Sequence, residues 1–217
     1  MRTTKIEWTD RTWNPVTGCT KFSTGCAHCY AETMVNRLRA MGVAKYANGF
    51  MPTMHEASLY EPIKWKQPHT IFVCSMADLF HDEVPLDFID SVMNTIRQTP
   101  RHRYQILTKR AERMAEYFTR TDIPQNVWLG VTVESSSVKH RIESLRPLQA
   151  SVRFLSCEPL VEDIGELDLA DAEEQGAAFF FKQWGTWGSD GVKRNKKANG
   201  KALDGKIIQM MPQLNMR

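Results

Sequence analysis

Apolar positions along this chain follow two alternating periods. Short runs of consecutive apolar and β-branched residues, "TIFVCS" (70–75), "RYQILT" (103–108), "NVWLGVTVE" (126–134) and "SVRFLSCEPL" (151–160), read as buried strands. Between them the period lengthens. "PLDFIDSVMNTIRQ" (85–98) sets Leu86, Ile89, Met93 and Ile96 on one helical face, and Pro85 suits its first turn. "KRAERMAEYF" (109–118) spaces Met114 and Phe118 four apart. "SSSVKHRIESLRPL" (135–148) aligns Val138, Ile142 and Leu145 behind serines that supply an N-cap. Upstream, "TWNPVTG" is strand-like at Thr12 to Asn14, and "AETMVNRLRAMG" (31–42) is the first clear helix. "AAFFFKQW" (177–184) reads as the last strand. The stretch Met41 to Pro68 is weakly periodic and reads as a lid or an extra hairpin.

Strands alternating with helices imply parallel strands joined by right-handed crossovers. No G-x-G-x-x-G follows any strand, so the dinucleotide-binding version lacks its mark. The expected fold is α/β, a partial (β/α) barrel of about six parallel strands over residues 1–185. A basic extension, 186–217, follows. Each strand turns polar at its carboxyl end: Ser75 and Asp78, Thr108 and Lys109, Thr132 and Glu134, Ser156 to Glu158, then Lys182 and Gln183. Ligands of α/β folds bind at that edge, so these residues predict a pocket.

Composition narrows the picture. The chain has 217 residues and net charge +3. Its start, "MRTTKIEWTD", lacks the apolar core of a signal peptide, and no run approaches the ~18 apolar residues of a membrane span. A cytoplasmic protein with no membrane association is expected. "VKRNKKANGK" (192–201) carries five basic residues and no acidic one, and reads as a solvated loop or as an arm that contacts phosphates. The six tryptophans read mainly as packing, with Trp184 and Trp187 flanking Gly185 beyond the last strand.

Three of the five cysteines, Cys19, Cys26 and Cys29, stand in "GCTKFSTGCAHCYAE" with spacing C-x6-C-x2-C. Gly18 and Gly25 each precede a cysteine and allow the backbone to fold tightly around a ligand. A disulfide staple is one reading, with Cys74 or Cys157 as partner, although a reducing compartment weighs against it. Structural zinc is another. It wants four ligands, and His55, His69 or His81 would have to supply the fourth. The third is a [4Fe–4S] cluster, which three thiolates leave with one open iron.

The segments "IEWTDRTWNPVTGCTKFSTGCAHCYAE", "FVCSMADLFHDEVP", "LTKR", "GVTVE", "RFLSCEPL" and "FFFKQWG" resemble a phage-associated family named for its three-cysteine motif. That family is similar in turn to the radical S-adenosylmethionine enzymes, whose usual spacing is C-x3-C-x2-C with an aromatic residue before the last cysteine. Here the first gap is six residues, and His28 takes the aromatic place. The resemblance implies an iron–sulfur, S-adenosylmethionine-dependent radical enzyme, with a nucleic-acid base or nucleotide as the expected substrate and an electron donor as partner. Cys19, Cys26 and Cys29 would bind three irons, and S-adenosylmethionine would chelate the fourth and be cleaved to a 5′-deoxyadenosyl radical. Tyr30 would pack beside the cluster. Ser75 and Asp78 would hold the cofactor ammonium, Lys109 its carboxylate, and Thr132 and Glu134 its ribose. Glu158, Lys182 and Gln183 would face the substrate. Relatives carry an extra strand and helix after "SCEPL", whereas Val161 to Ala178 is too short for both. The rival expectation is a zinc-stabilised, non-catalytic module that binds nucleic acid or a protein.

Overall fold

Five short strands pair in the order in which they occur along the chain, all parallel. A computed structural model describes residue 4 and residues 6–167, 178–185 and 187–212. It divides into two units, residues 1–167 and 168–217. The first unit runs β1 (Arg11–Trp13), β2 (Val16–Thr17), α1 (Tyr30–Ala40), β3 (Thr53–Met54), α2 (Glu56–Leu59), β4 (Thr70–Val73), α3 (Leu86–Arg97), β5 (Arg103–Thr108), α4 (Ala111–Phe118), β6 (Val127–Thr132), α5 (His140–Leu145) and β7 (Val152–Ser156). The sheet order is β1-β4-β5-β6-β7. The fold is mixed α/β, as the alternating periods predict. No described helix is long and apolar enough to cross a membrane.

Burial follows the sequence periods. Every residue of β6 is buried, as expected for a central parallel strand covered on both faces. Helix α3 buries Ile89, Val92, Met93, Thr95 and Ile96, and α4 buries Ala111, Met114, Tyr117 and Phe118. Each large apolar side chain so buried contributes about 1.5–3 kcal/mol of transfer free energy. Phe80, from the loop after β4, meets Tyr117 and Phe118 at ring-centroid distances of 6.0 and 6.1 Å and ties α4 to that loop.

Three expectations change. The parallel sheet holds five strands, not six. The run at 177–184, whose first residue lies outside the described ones, does not join it as a sixth. Within the second unit Phe180 forms an isolated antiparallel bridge with Gln209, backed by Phe181 N–H to Ile208 O (2.8 Å) and Met210 N–H to Phe179 O (3.1 Å). Second, the weakly periodic link supplies β3, which pairs antiparallel with β2: Val16 faces Met54 and Thr17 faces Thr53. Third, α5 is a single short helix behind a 3-10 turn at Ser136–Val138, and Ser135 makes no capping bond. Glu162 accepts from the Ser136 N–H (2.7 Å) and hydroxyl (2.6 Å) in its place. Of the interval 161–178, residues 161–167 and 178 are described. There Val161 N–H bonds to Glu134 O (3.0 Å) and Lys139 Nζ to Glu166 O (2.6 Å), laying the segment along the β6–α5 connection.

Candidate site at the cysteine loop

The carboxyl ends of β1, β4, β5 and β6 carry a buried polar layer, and the cysteine loop is bound to it. The end of β1 is joined to that of β4 by Asn14, whose Oδ1 accepts from the Ser75 hydroxyl and the Met76 N–H, both at 3.1 Å. Cys74 turns the chain with φ +57, and Ala77 N–H closes the turn on its carbonyl at 3.1 Å. Burial pushes the Cys74 thiol up to about 12, so it is an inert structural thiol.

The loop begins at Gly18, whose N–H bonds to Met76 O at 2.9 Å. Its φ is +81, and a Cβ there would lie 2.1 Å from the Met51 carbonyl oxygen. Glycine is needed on both counts. Cys19 N–H then bonds to Phe50 O at 3.0 Å. Next, Thr20 Oγ1 accepts from Arg110 Nη2 (3.1 Å) and pairs with His81 Nε2 (2.8 Å). Glu83 N–H donates to His81 Nδ1 (3.1 Å), which leaves the imidazole proton on Nε2, pointing at Thr20. Phe22 lays its ring over two guanidiniums, at 4.7 Å from Arg110 and 5.7 Å from Arg141. Ser23 donates its hydroxyl to Glu134 Oε1. Gly25 sits so close to the Glu134 side chain that a Cβ would come within 2.8 Å of Cγ.

Two buried acid–arginine pairs lie beneath. Asp78 is fixed by the Thr108 hydroxyl (2.7 and 2.9 Å), the Phe80 N–H (3.0 Å) and the Lys109 N–H (3.0 Å), and Arg110 Nη1 stands 3.6 Å away. Glu134 is fully buried, and its Oε2 accepts from Arg141 Nη1 at 2.8 Å. Arg141 also donates to the Thr132 carbonyl at 2.8 Å. One pair reaches each of the first two cysteines. Arg110 Nη1 donates to Cys19 Sγ at 3.7 Å, and Ser23 Oγ lies 3.9 Å from Cys26 Sγ. Burial, followed by the Asp78 charge, pushes the Cys19 thiol up to about 11 against the pull of Arg110. Cys29 is the residue before the first turn of α1. All five cysteines are free thiols, and Cys19, Cys26 and Cys29 are half-buried.

Of the residues singled out by sequence, Cys19, Cys26, Cys29, Tyr30, Ser75, Asp78, Lys109, Thr132 and Glu134 therefore gather around one edge of the sheet. Tyr30 donates its hydroxyl to the Ser75 carbonyl. Desolvation of that hydroxyl, with the Cys29 and Glu158 charges nearby, pushes Tyr30 up to about 12. Glu158 is exposed beyond β7, and Cys157 beside it is half-buried. Lys182 and Gln183 belong to the second unit. The carboxylates of Asp78 and Glu134 are engaged with the protein itself. Asn14, Arg110 and Arg141 complete the layer, and no sequence signal singled them out.

The donor set bears on what this loop can hold. Three half-buried thiols are soft ligands of the kind that iron–sulfur clusters take. Of the histidines weighed as a fourth zinc ligand, His55 pairs with Thr17 (2.7 Å), His81 is taken as above, and His69 stacks on His102 with centroids 5.7 Å apart. His28 is exposed. Among the described residues no three His, Cys, Asp or Glu side chains are grouped to hold one ion. A tetrahedral zinc needs its ligands at one point, whereas a cubane spreads its thiolates over separate irons. Cys19, Cys26 and Cys29 match, in number and ligand type, the three thiolates of a cluster with one open iron.

No curated protein and no solved structure matches this chain. A family model described as "Protein of unknown function (DUF5131)" matches residues 3–173 and 170–212, and the chain belongs to that family.

Proposed function

We propose that Cys19, Cys26 and Cys29 hold a [4Fe–4S] cluster and that the adjoining rim binds S-adenosylmethionine, making this a radical-type enzyme on a partial (β/α) barrel. The observation that carries the reading is the anchoring of the cysteine loop. Its turns are held by Thr20, Phe22, Ser23 and Gly25 against His81, Arg110, Arg141 and Glu134, without recourse to the thiols. A zinc knuckle owes its fold to its metal. Here three half-buried thiols stand on a loop that the protein already holds, which is how a reactive centre is presented.

The six-residue gap gains a purpose in this light. Thr20 to Gly25 is the stretch that supplies the anchors. Sequential strand order supports the barrel reading as well, because a doubly wound sheet reverses its order at a switch point and this one does not.

When bound, the cluster and S-adenosylmethionine together supply one-electron reductive cleavage and a carbon radical. The protein's own residues divide the remaining tasks. Arg110 donates to the Cys19 sulfur and Ser23 stands beside that of Cys26, orienting the ligands. Tyr30 holds the first turn of α1 to the Ser75 carbonyl and so fixes Cys29. Ser75 and Lys109 line the rim for the cofactor's polar groups, with Thr132, Asp78 and Glu134 behind them as supports. Glu158 is left for substrate.

Anaerobic reconstitution with iron and sulfide, followed by incubation with S-adenosylmethionine and a low-potential reductant, tests this. The expected result is release of 5′-deoxyadenosine, abolished in Cys26→Ala. A reconstituted, reduced protein that leaves S-adenosylmethionine intact overturns the enzymatic reading.

A further inference from the structure

We infer that the second unit is a single-stranded nucleic-acid-binding surface, with Trp187 as a base-stacking platform and Lys193 and Lys197 as phosphate contacts. Residues 178–212 hold seven Lys or Arg and two Asp, a far denser positive charge than the chain's overall +3. One of the two acids is already neutralised: Asp190 accepts from Arg194 at 2.8 and 2.6 Å. That pair does structural work. It closes a hairpin in which Trp187 bridges Lys193, Gly188 N–H bonds to Val192 O (3.1 Å) and Gly191 N–H bonds to Gly188 O (3.0 Å). The hairpin brings an ammonium over one side of an aromatic ring, with Lys193 Nζ 5.9 Å from the Trp187 ring centroid.

The two neighbouring tryptophans separate cleanly. Trp184 is half-buried, its N–H bonds to Gly200 O (3.0 Å), its indole N–H bonds to Ala202 O (2.8 Å), and its ring packs on Phe181. It is a packing residue. Trp187 is 58% exposed, an unusual state for the largest apolar side chain. Lys197, whose N–H bonds to Asn195 Oδ1 at 2.8 Å, lies in the short helix Lys196–Asn199 directly after the hairpin, and its side chain is exposed. An exposed aromatic ring with a lysine at it and further exposed basic residues close by in sequence is the pattern that binds a flexible strand, because every base has a face to stack and every nucleotide a phosphate. An acidic protein would use the charge but not the ring. The inference stands apart from the iron reading, since no cysteine is involved.

The test is fluorescence anisotropy of the full-length protein with labelled oligo(dT) and oligo(U), in cluster-free and reconstituted forms, over a salt series. Binding in both forms is expected. Trp187→Ala should weaken it about tenfold, and Trp187→Phe, which keeps a ring, should largely preserve it. Lys193→Ala with Lys197→Ala should lower the slope of log affinity against log salt by about 1.4. Since these lysine side chains are exposed, the double variant reports even if the Trp187→Ala hairpin unfolds. Absence of binding at low salt, binding confined to the reconstituted form, equal affinity in all variants, or equal binding to anionic phospholipid vesicles would each overturn the inference.

Discussion

Ser23, in the middle of the cysteine loop, donates its hydroxyl to the carboxylate of Glu134, which lies 111 residues away beyond the end of β6. The other Glu134 oxygen belongs to Arg141, so one buried carboxylate joins the loop to the sheet and balances a buried cation. Removing that carboxylate leaves Arg141 uncompensated in the core. Glu134→Ala should cost about 3–5 kcal/mol, and Ser23→Ala about 1–2 kcal/mol. Urea denaturation of the two single variants and the double variant should reveal coupling between them. Additive losses would mean that the contact carries no energy.

Arg110 and Asp78 make the matching prediction at the first cysteine. Arg110→Met removes the donors to Cys19 and Thr20 and the charge opposite Asp78. Hydrogen bonds to ligand sulfurs influence a cluster's potential, and removing a cationic donor disfavours added electrons. A redox titration of the reconstituted variant should therefore give a midpoint more negative than that of the wild type. Arg110→Lys, which keeps the charge without the fork, should fall between them. An unchanged midpoint at full iron occupancy would remove Arg110 from the site.

Two glycines with similar backbones should respond very differently to substitution. Gly42 has φ +73 and nothing within 4 Å of an added Cβ, so Gly42→Ala should cost only the backbone strain, about 1–2 kcal/mol. Gly18 adds a collision with the Met51 carbonyl, so Gly18→Ala should lose clearly more and displace Cys19. Thermal melts of both variants decide this, and similar losses would contradict the packing described at Gly18.

Stability should fall on mild acidification. His81 and His102 are buried, and desolvation is the first cause holding both below the usual 6.5. In each case a backbone N–H donates to Nδ1, from Glu83 in one and His69 in the other, which favours the neutral ring. The folded state thus resists the proton that the unfolded chain accepts. Their contribution is complete above about pH 6.5 and is lost as pH falls from there toward the lowered folded values. Denaturant midpoints measured from pH 7.5 to 5.5 should decline, and the decline should shrink in His102→Asn. A flat or rising profile would contradict the assignment.

The repeating strand–helix units were open to reading because their cause is local. β5 falls on the predicted "RYQILT", and α3 lies within its predicted segment, since runs of β-branched residues and i, i+4 apolar spacing act within a few neighbours. The cysteine loop and the polar strand ends were visible for the same reason. What escaped depends on distance. Arg110 and Arg141 stand in charged stretches with no local sign of burial, and Asp78 and Glu134 turn them inward with Phe22, which is remote in sequence from both. The strand β3 is two residues long and pairs with a segment before α1, so no local period announces it. The triple phenylalanine at 179–181 misled because an apolar run does not say whether its partner is parallel or antiparallel.

The most direct test of the central claim is the metal content of anaerobically purified protein. Brown protein is expected, with iron and acid-labile sulfide at about four each per chain, both lost in Cys19→Ala, Cys26→Ala and Cys29→Ala while the chain stays folded. Colourless protein carrying one zinc per chain, or iron that survives all three substitutions, would contradict it.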